Sequence, residues 1–186
     1  MKRFSLSLRI WHWLNAIVVL GLLGTFFLRK TFLSWRENSQ IIMHKLAEFD
    51  IIITIEQAKI LAKAVRAPMW EWHIILGFMF AFLLLWRWGM ILKNGFGYED
   101  DVDTHMKWVH RLYKLMYSIF SFMVISGLFL YFSHDFGVDK NIVHQIKELH
   151  EMMAWGVVGF VVIHIAGVVI AENKEDKGLI SKMISG

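Results

Sequence analysis

The feature that most limits how this chain can fold is a set of four long apolar stretches. A helix rises 1.5 Å per residue, so about 20 apolar residues cross the roughly 30 Å of hydrocarbon in a bilayer. Hydrophobic residues make up 56% of the 186 residues, more than a soluble domain of this size needs. The stretches lie near residues 6–28, 71–92, 108–132 and 149–171. The sequence therefore predicts an all-α integral membrane protein, with residues 1–186 forming a single four-helix bundle.

The first apolar stretch follows Lys2 and Arg3, which is also how a signal peptide begins. Its apolar run is longer than that of an ordinary signal peptide, and it ends in "GTFFLRK" without a small-residue cleavage pattern. We therefore expect it to be retained as the first helix. Four spans place both termini on one side, and a slight excess of Lys and Arg there favours cytoplasmic termini.

Residues 29–69, between the first two spans, are too many for a simple turn and predict a long extracytoplasmic loop. Within it, Thr54 and Gln57 have the spacing of a capping box, and Pro68 lies beyond the predicted helix end. The apolar residues that repeat on one face are Ile60, Leu61, Ala64 and Val65. We predict a surface helix that is either a lid packed on the bundle or a platform for a partner.

Three further features of the segments outside the spans can be predicted. Asn141 is a suitable N-cap for the fourth helix. The tail "ENKEDKGLISKMISG" is polar and then weakly amphipathic, so we expect it to rest at the membrane interface. The connection "KNGFGYEDDVDTHMK" is acidic and contains two glycines, which predicts a solvated turn.

The absence of cysteine narrows the chemistry available to this chain. It excludes disulfides, thioether-attached haem, cysteine-ligated iron–sulfur clusters and zinc–thiolate sites. The net charge of +4 does not indicate nucleic-acid binding, because the basic residues are spread along segments that flank the spans. Nine histidines remain as the strongest candidates for holding a metal centre.

Two of these histidines, His150 and His164, lie in the fourth span. Fourteen positions at 100° each amount to about 1400°, which is roughly 40° short of four turns, so both project from nearly the same face. They are separated by roughly 21 Å along the helix. One metal ion cannot use both, because metal–nitrogen bonds are about 2 Å. Two separate cofactors could.

Other helices supply histidines at matching depths. His12 and His164 both fall roughly 10 Å inside the boundary on the side of the termini, since their helices are antiparallel. His73 and His150 both lie near the opposite boundary. We call His12 and His164 the inner pair, and His73 and His150 the outer pair. Cofactors are commonly held between facing helices, and the simplest occupant is a noncovalent b-type haem with two histidine ligands at each level.

Each histidine also has an ordinary structural explanation. His12 lies between two tryptophans near the interface, where amphipathic rings gather, and His73 in "MWEWH" is similar. His150 could be a helix-start residue, whereas His164 lies well inside apolar sequence. The remaining loop and helix-start histidines, which we expect to be surface residues, are His44, His105, His134 and His144.

Polar residues near the inner pair could contact a cofactor. His110 is level with His12 and could replace it as a ligand, or contact a haem propionate or a quinone. Arg9 and Arg111 could pair with propionates, although interfacial cations would look the same. Asn15, with His110 and Arg111, could hydrogen-bond a quinone carbonyl, and an interfacial structural role is the alternative for each.

The chain resembles the bacterial cytochrome b561 family, particularly the b-type cytochrome subunits of nickel–iron hydrogenases. The similar segments are "LRIWHWLNA" at 8–16, "WHIILGFMFAFLLLWRW" at 72–88, "LHEMMAWGVVGFVVIHI" at 149–165 and "GLISKMISG" at 178–186. The resemblance implies that His12 and His164 hold a haem near the cytoplasm, and His73 and His150 one near the outer face. It also implies cytoplasmic termini and a location in the cell inner membrane.

By the same resemblance, the protein passes electrons between membrane quinones and an extracytoplasmic redox protein. The expected partners are therefore membrane lipid, quinone and that redox protein, with a homodimer as a further possibility. Whether it is an enzyme in its own right stays open. The alternatives are a self-contained quinone-linked oxidoreductase, such as a superoxide oxidase, and a transporter or assembly subunit whose histidines relay protons or a metal ion.

Overall fold

The computed structural model describes residues 4–96, 104–173 and 178–186. Of the residues that the structure describes, 85% are helical and none lies in a strand. The helices there are α1 (Leu6–Lys30), α2 (Trp35–Ala47), α3 (Ile55–Asn94), α4 (Thr104–Phe132), α5 (Lys140–Asn173) and α6 (Leu179–Ile184). Helices α1, α3, α4 and α5 are each long and apolar enough to span a membrane. The predicted all-α class with four spans is confirmed.

The chain divides into two compact units. The first consists of Met1–Ala16 with Phe80–Gly186, and the second of Ile17–Met79. Helices α1 and α3 each contribute residues to both units, because each continues past the division. The first unit contains both members of the inner histidine pair.

The core of the first unit is built from large apolar side chains. Trp11 is 6% exposed, and its indole N–H donates a 2.7 Å hydrogen bond to the Leu83 carbonyl, which joins α1 to α3. A buried indole N–H needs such a partner, since leaving it unpaired would cost free energy. Phe80 and Phe120 pack edge to face, with their ring centres 5.0 Å apart. Helices α4 and α5 pack along one another.

The second unit contains more helix than was predicted for residues 29–69, which we expected to be a long loop with one surface helix. Most of this segment is helical, in α2 and in the beginning of α3. The predicted capping box is confirmed at the start of α3. The Gln57 N–H donates to the Thr54 hydroxyl at 3.3 Å, and the Thr54 N–H donates to the Gln57 side-chain oxygen at 2.8 Å. Both backbone donors would otherwise lack a helical partner.

Helix α3 also contradicts the prediction that a surface helix ends before Pro68. The helix runs without a break through Pro68 into the second span. Proline removes the backbone bond to the carbonyl four residues earlier, that of Ala64. Both residues are exposed, so the carbonyl can be solvated. Forty residues of continuous helix outweigh this one missing bond.

The predicted buried face of this segment is wrong as well. Ile60, Leu61 and Val65 are 68%, 44% and 58% exposed, whereas Ala58 and Ala62 are fully buried. Small side chains allow neighbouring backbone to approach closely, so the stripe of larger residues remains on the outside. The segment therefore presents an apolar surface.

The start of α5 differs from the predicted N-cap. Helix α5 begins at Lys140, and the Asp139 carboxylate accepts the Asn141 N–H at 2.8 Å, so Asp139 caps the helix and the prediction for Asn141 is wrong. An aspartate acceptor at this end is stabilising. The tail forms the short helix α6. The predicted turn after the second span falls largely at residues 97–103, outside the described residues.

Candidate functional site

The rings of His12 and His164 approach each other inside the first unit. His12 projects from α1 and His164 from α5, and their ring centres are 6.1 Å apart with a 63° angle between the planes. Both side chains are half-buried. The structure thus brings together the two members of the inner pair that depth alone had matched.

This spacing can be compared with that of two imidazoles bound to one iron. Two iron–nitrogen bonds of about 2 Å, with roughly 1.1 Å from each nitrogen to its ring centre, separate the centres by at most about 6.2 Å. The observed 6.1 Å is close to that value. His12 and His164 would each supply one imidazole nitrogen to a haem iron. The inner pair therefore fits a haem.

Aromatic rings surround His164. The Phe160 ring, one turn earlier on α5, stacks on it at 5.6 Å with only 12° between the planes. Tyr113 of α4 lies 6.5 Å from His164 and 6.3 Å from Phe160, measured between ring centres. These rings limit the rotation of the imidazole and exclude water from one side of it. The sequence analysis did not identify either aromatic residue.

The other member of the inner pair, His12, also has an aromatic neighbour. The Trp13 ring lies edge-on to it, with the ring centres 5.3 Å apart. Trp13 also donates its indole N–H to the Met183 carbonyl at 3.1 Å. Arg9 donates from Nη1 to the Ile184 carbonyl at 3.1 Å. Arg9 and Trp13, which lie within one helical turn of His12 on α1, therefore bind the C-terminal end of α6, where carbonyls lack helical partners.

The start of α6 is held from α5. The Glu172 carboxylate accepts the N–H groups of Gly178 and Ile180, at 2.8 and 3.0 Å. A negative charge at the beginning of a helix and a positive charge at its end both interact favourably with the helix dipole and stabilise the helix. The tail is thus attached at both ends beside the inner pair. The proposed contact of Arg9 with a haem propionate stays a prediction.

The other predicted polar contacts occupy different environments. Asn15 is half-buried, and its side-chain oxygen has no hydrogen-bond partner among the described residues. Such an atom is costly to bury, so it fits a polar group of a bound molecule. Arg111 is exposed, with its guanidinium 5.0 Å from the centre of the Trp108 ring. His110 is half-buried on α4.

The two outer histidines each contact a buried hydroxyl within their own unit. In the second unit, the Thr25 hydroxyl of α1 lies 2.7 Å from Nδ1 of His73 on α3. In the first unit, the Ser126 hydroxyl of α4 lies 2.8 Å from Nδ1 of His150 on α5. The sequence could have indicated Thr25 and Ser126, because each hydroxyl lies inside an apolar span at the level of its histidine.

Arg87 was another residue that the sequence analysis did not identify. It lies in the first unit, donates from Nε to the Tyr117 hydroxyl at 2.9 Å, and has its guanidinium 5.4 Å from the centre of the Trp11 ring. Aromatic rings can hold a cation near an apolar layer at little cost. Arg87 is therefore fixed beside the residue that precedes His12.

Comparison with known proteins gives one match. The family described as prokaryotic cytochrome b561 matches residues 3–186, nearly the whole chain. No curated protein and no solved structure matches. The match covers all four spans and the tail helix.

Proposed function

Because this chain belongs to the prokaryotic cytochrome b561 family, we propose that it is a dihaem cytochrome b that transfers electrons between the quinone pool and an extracytoplasmic redox partner. Membership makes it a multi-pass membrane protein that binds haem b and transfers electrons. Contact with membrane lipid follows from its four apolar helices. The presence of two haems, the quinone and the partner are the proposal.

The observation that carries the proposal is the 6.1 Å approach of the His12 and His164 rings. A haem bound there would supply an iron that gains and loses one electron. The two histidines would hold this iron. Phe160 and Tyr113 would orient the His164 ring and exclude water.

The second haem is proposed at His73 and His150. The support comes from their equal depth in the sequence and from the hydroxyl that each imidazole contacts. Metal-binding histidines usually have such a partner on the second ring nitrogen. Sites at two levels would carry an electron across the low-dielectric layer, with or against about 2.3 kcal/mol per 100 mV of membrane potential.

We place the quinone near the inner pair, on the side of the termini. Asn15 is the best-supported contact, because its buried side-chain oxygen has no partner among the described residues. His110, Arg9 and Arg111 are further candidates for quinone or propionate contacts. The termini would be cytoplasmic and the membrane would be the cell inner membrane, as the sequence resemblance implies.

The redox partner is proposed to bind on the opposite side. The exposed apolar stripe of Ile60, Leu61 and Val65 lies in the segment predicted to be extracytoplasmic. Its exposure favours a docking platform over a lid, since a lid would bury these side chains. A homodimer using the same surface would be an alternative occupant.

Haem quantitation on the purified protein tests the proposal. We expect about two b-type haems per chain and a reduced-minus-oxidised spectrum with two components. One haem or none would overturn the dihaem assignment. The isolated protein should also fail to reduce quinone from superoxide or another small donor. Reduction without a partner would instead identify a self-contained oxidoreductase.

A further inference from the structure

Two hydroxyls are buried in apolar helices against the outer histidines. Thr25 is 7% exposed and Ser126 is 3% exposed. Each hydroxyl oxygen lies within 2.8 Å of Nδ1 of one histidine, His73 in the second unit and His150 in the first. The partner of one ring nitrogen determines which nitrogen of a neutral imidazole carries the proton.

Each hydroxyl has only one proton, and a second short contact competes for it. The Thr25 hydroxyl lies 2.7 Å from the Leu22 carbonyl, and the Ser126 hydroxyl lies 2.7 Å from the Phe122 carbonyl. A carbonyl oxygen can only accept a hydrogen bond. Both short contacts are hydrogen bonds only if the hydroxyl donates to the carbonyl and accepts from the imidazole. The ring proton is then on Nδ1, and the lone pair is on Nε2.

We propose that Thr25 and Ser126 are positioning residues, each for the histidine that it contacts in its own unit, His73 and His150 respectively. Each fixes its histidine in the tautomer that directs the Nε2 lone pair to iron, and each holds the ring in one orientation. This inference rests on the proposed ligation of haem by His73 and His150. A hydrogen bond donated from Nδ1–H also makes the imidazole a stronger electron donor, which favours ferric over ferrous iron.

A purely structural role for these hydroxyls is the competing explanation. Serine and threonine inside helices often bond to a carbonyl of the preceding turn. Ser133 provides the matched control, because it is 8% exposed, directly follows the helix that contains Ser126, and donates to the Leu130 carbonyl at 2.8 Å. Removal of its hydroxyl should leave the haems unchanged.

The test uses the full-length protein with its haems, as Thr25→Val, Ser126→Ala and Ser133→Ala. A redox titration followed by absorbance and electron paramagnetic resonance resolves the two components. The outer one is the component missing from His150→Ala. Thr25→Val and Ser126→Ala should each lower the ferric-to-ferrous ratio of the outer component, measured at a fixed potential, by about three- to tenfold. This corresponds to a rise in its reduction potential of roughly 30–60 mV, at 59 mV per tenfold change.

Haem affinity and the inner component give further measurements of the same variants. Haem affinity at the outer site should fall by about tenfold in each variant. The inner component should be unchanged, and Thr25→Ser should restore the wild-type potential because it keeps the hydroxyl. Both variants should shift the same component, and shifts of two different components would overturn the pairing of His73 with His150.

An unchanged outer potential and an unchanged ferric spectrum in both variants, with two haems bound, would overturn the inference and leave the proposed function intact. Fewer than two haems in the wild-type protein would overturn the proposed function itself. If Thr25→Val does not fold, Ser126→Ala still decides the question, because its histidine and hydroxyl lie together in the other unit.

Discussion

The inner and outer histidine pairs are the same residue type in very different surroundings. Aromatic rings pack against His12 and His164, and no hydrogen bond reaches their ring nitrogens among the described residues. His73 and His150 instead each contact a buried hydroxyl. Packing restricts the orientation of a ring without selecting its tautomer, whereas a hydrogen bond does both. The two haems that we propose would therefore differ in potential although their ligands are of the same type.

The largest expected effect comes from removing an inner ligand. In His164→Ala the haem content should fall from about two per chain to about one, with the outer spectral component retained. The control is His144→Ala, an exposed histidine on the same helix, which should keep both haems. Haem quantitation decides the result, and retention of both haems in His164→Ala would contradict the inner pairing.

Phe160→Ala tests whether aromatic packing orients the His164 ring of the inner pair. Loss of the ring stacked on His164 should lower the free energy of unfolding by about 2 kcal/mol, since Phe160 is only half-buried. The inner haem should dissociate about tenfold faster, because a loosened ring is a poorer ligand. Haem transfer to apomyoglobin measures the rate, and Phe136→Ala, at a residue 79% exposed, is the control. Equal effects on both haems would contradict a local role.

The attachment of the tail beside His12 should have a smaller effect. Arg9→Gln and Trp13→Phe each remove a donor to α6, which should cost about 1 kcal/mol and reduce hydrogen-exchange protection of the α6 amides about fivefold. Lys140→Gln, at an exposed residue at the start of α5, serves as the control. If Arg9→Gln shifts the inner haem potential while Trp13→Phe does not, Arg9 contacts a propionate instead.

The smallest effect is expected at the outer site for Gly127→Ala. A Cβ there would lie 3.5 Å from Cε1 of His150, an ordinary contact, so stability should change by less than about 1 kcal/mol and both haems should remain. In the matched variant Gly159→Ala, no described atom lies within 4 Å of the added carbon. Thermal unfolding compares the two variants. Loss of the outer haem only in Gly127→Ala would show that the His150 ring tolerates no added contact.

Much of the fold could be predicted, because span length and apolar content are local properties of the sequence. The four spans, the capping box at Thr54 and Gln57, and the location of His150 and His164 on one helix all followed from spacing. Matching depth also anticipated the approach of His12 to His164. Antiparallel helices of known rise fix that depth without any knowledge of packing.

The errors occurred where packing outweighed a local signal. Pro68 is a strong helix-breaking residue, yet the long helix on both sides of it carries through. Ile60 and Leu61 looked like the buried face, but the fully buried residues are alanines, because close approach depends on side-chain size. These outcomes depend on neighbours that no local pattern encodes.

The sequence alone determined that this protein has four apolar helices and that His150 and His164 lie roughly 21 Å apart along one of them, since both follow from counting residues along a helix of fixed rise. Only the tertiary structure decided which atoms meet those imidazoles. Thr25 and His73 are 48 residues apart in the chain, and Ser126 and His150 are 24 apart. A hydrogen bond needs a donor and an acceptor within about 3 Å and in line, and only the packed helices bring such distant atoms to that distance.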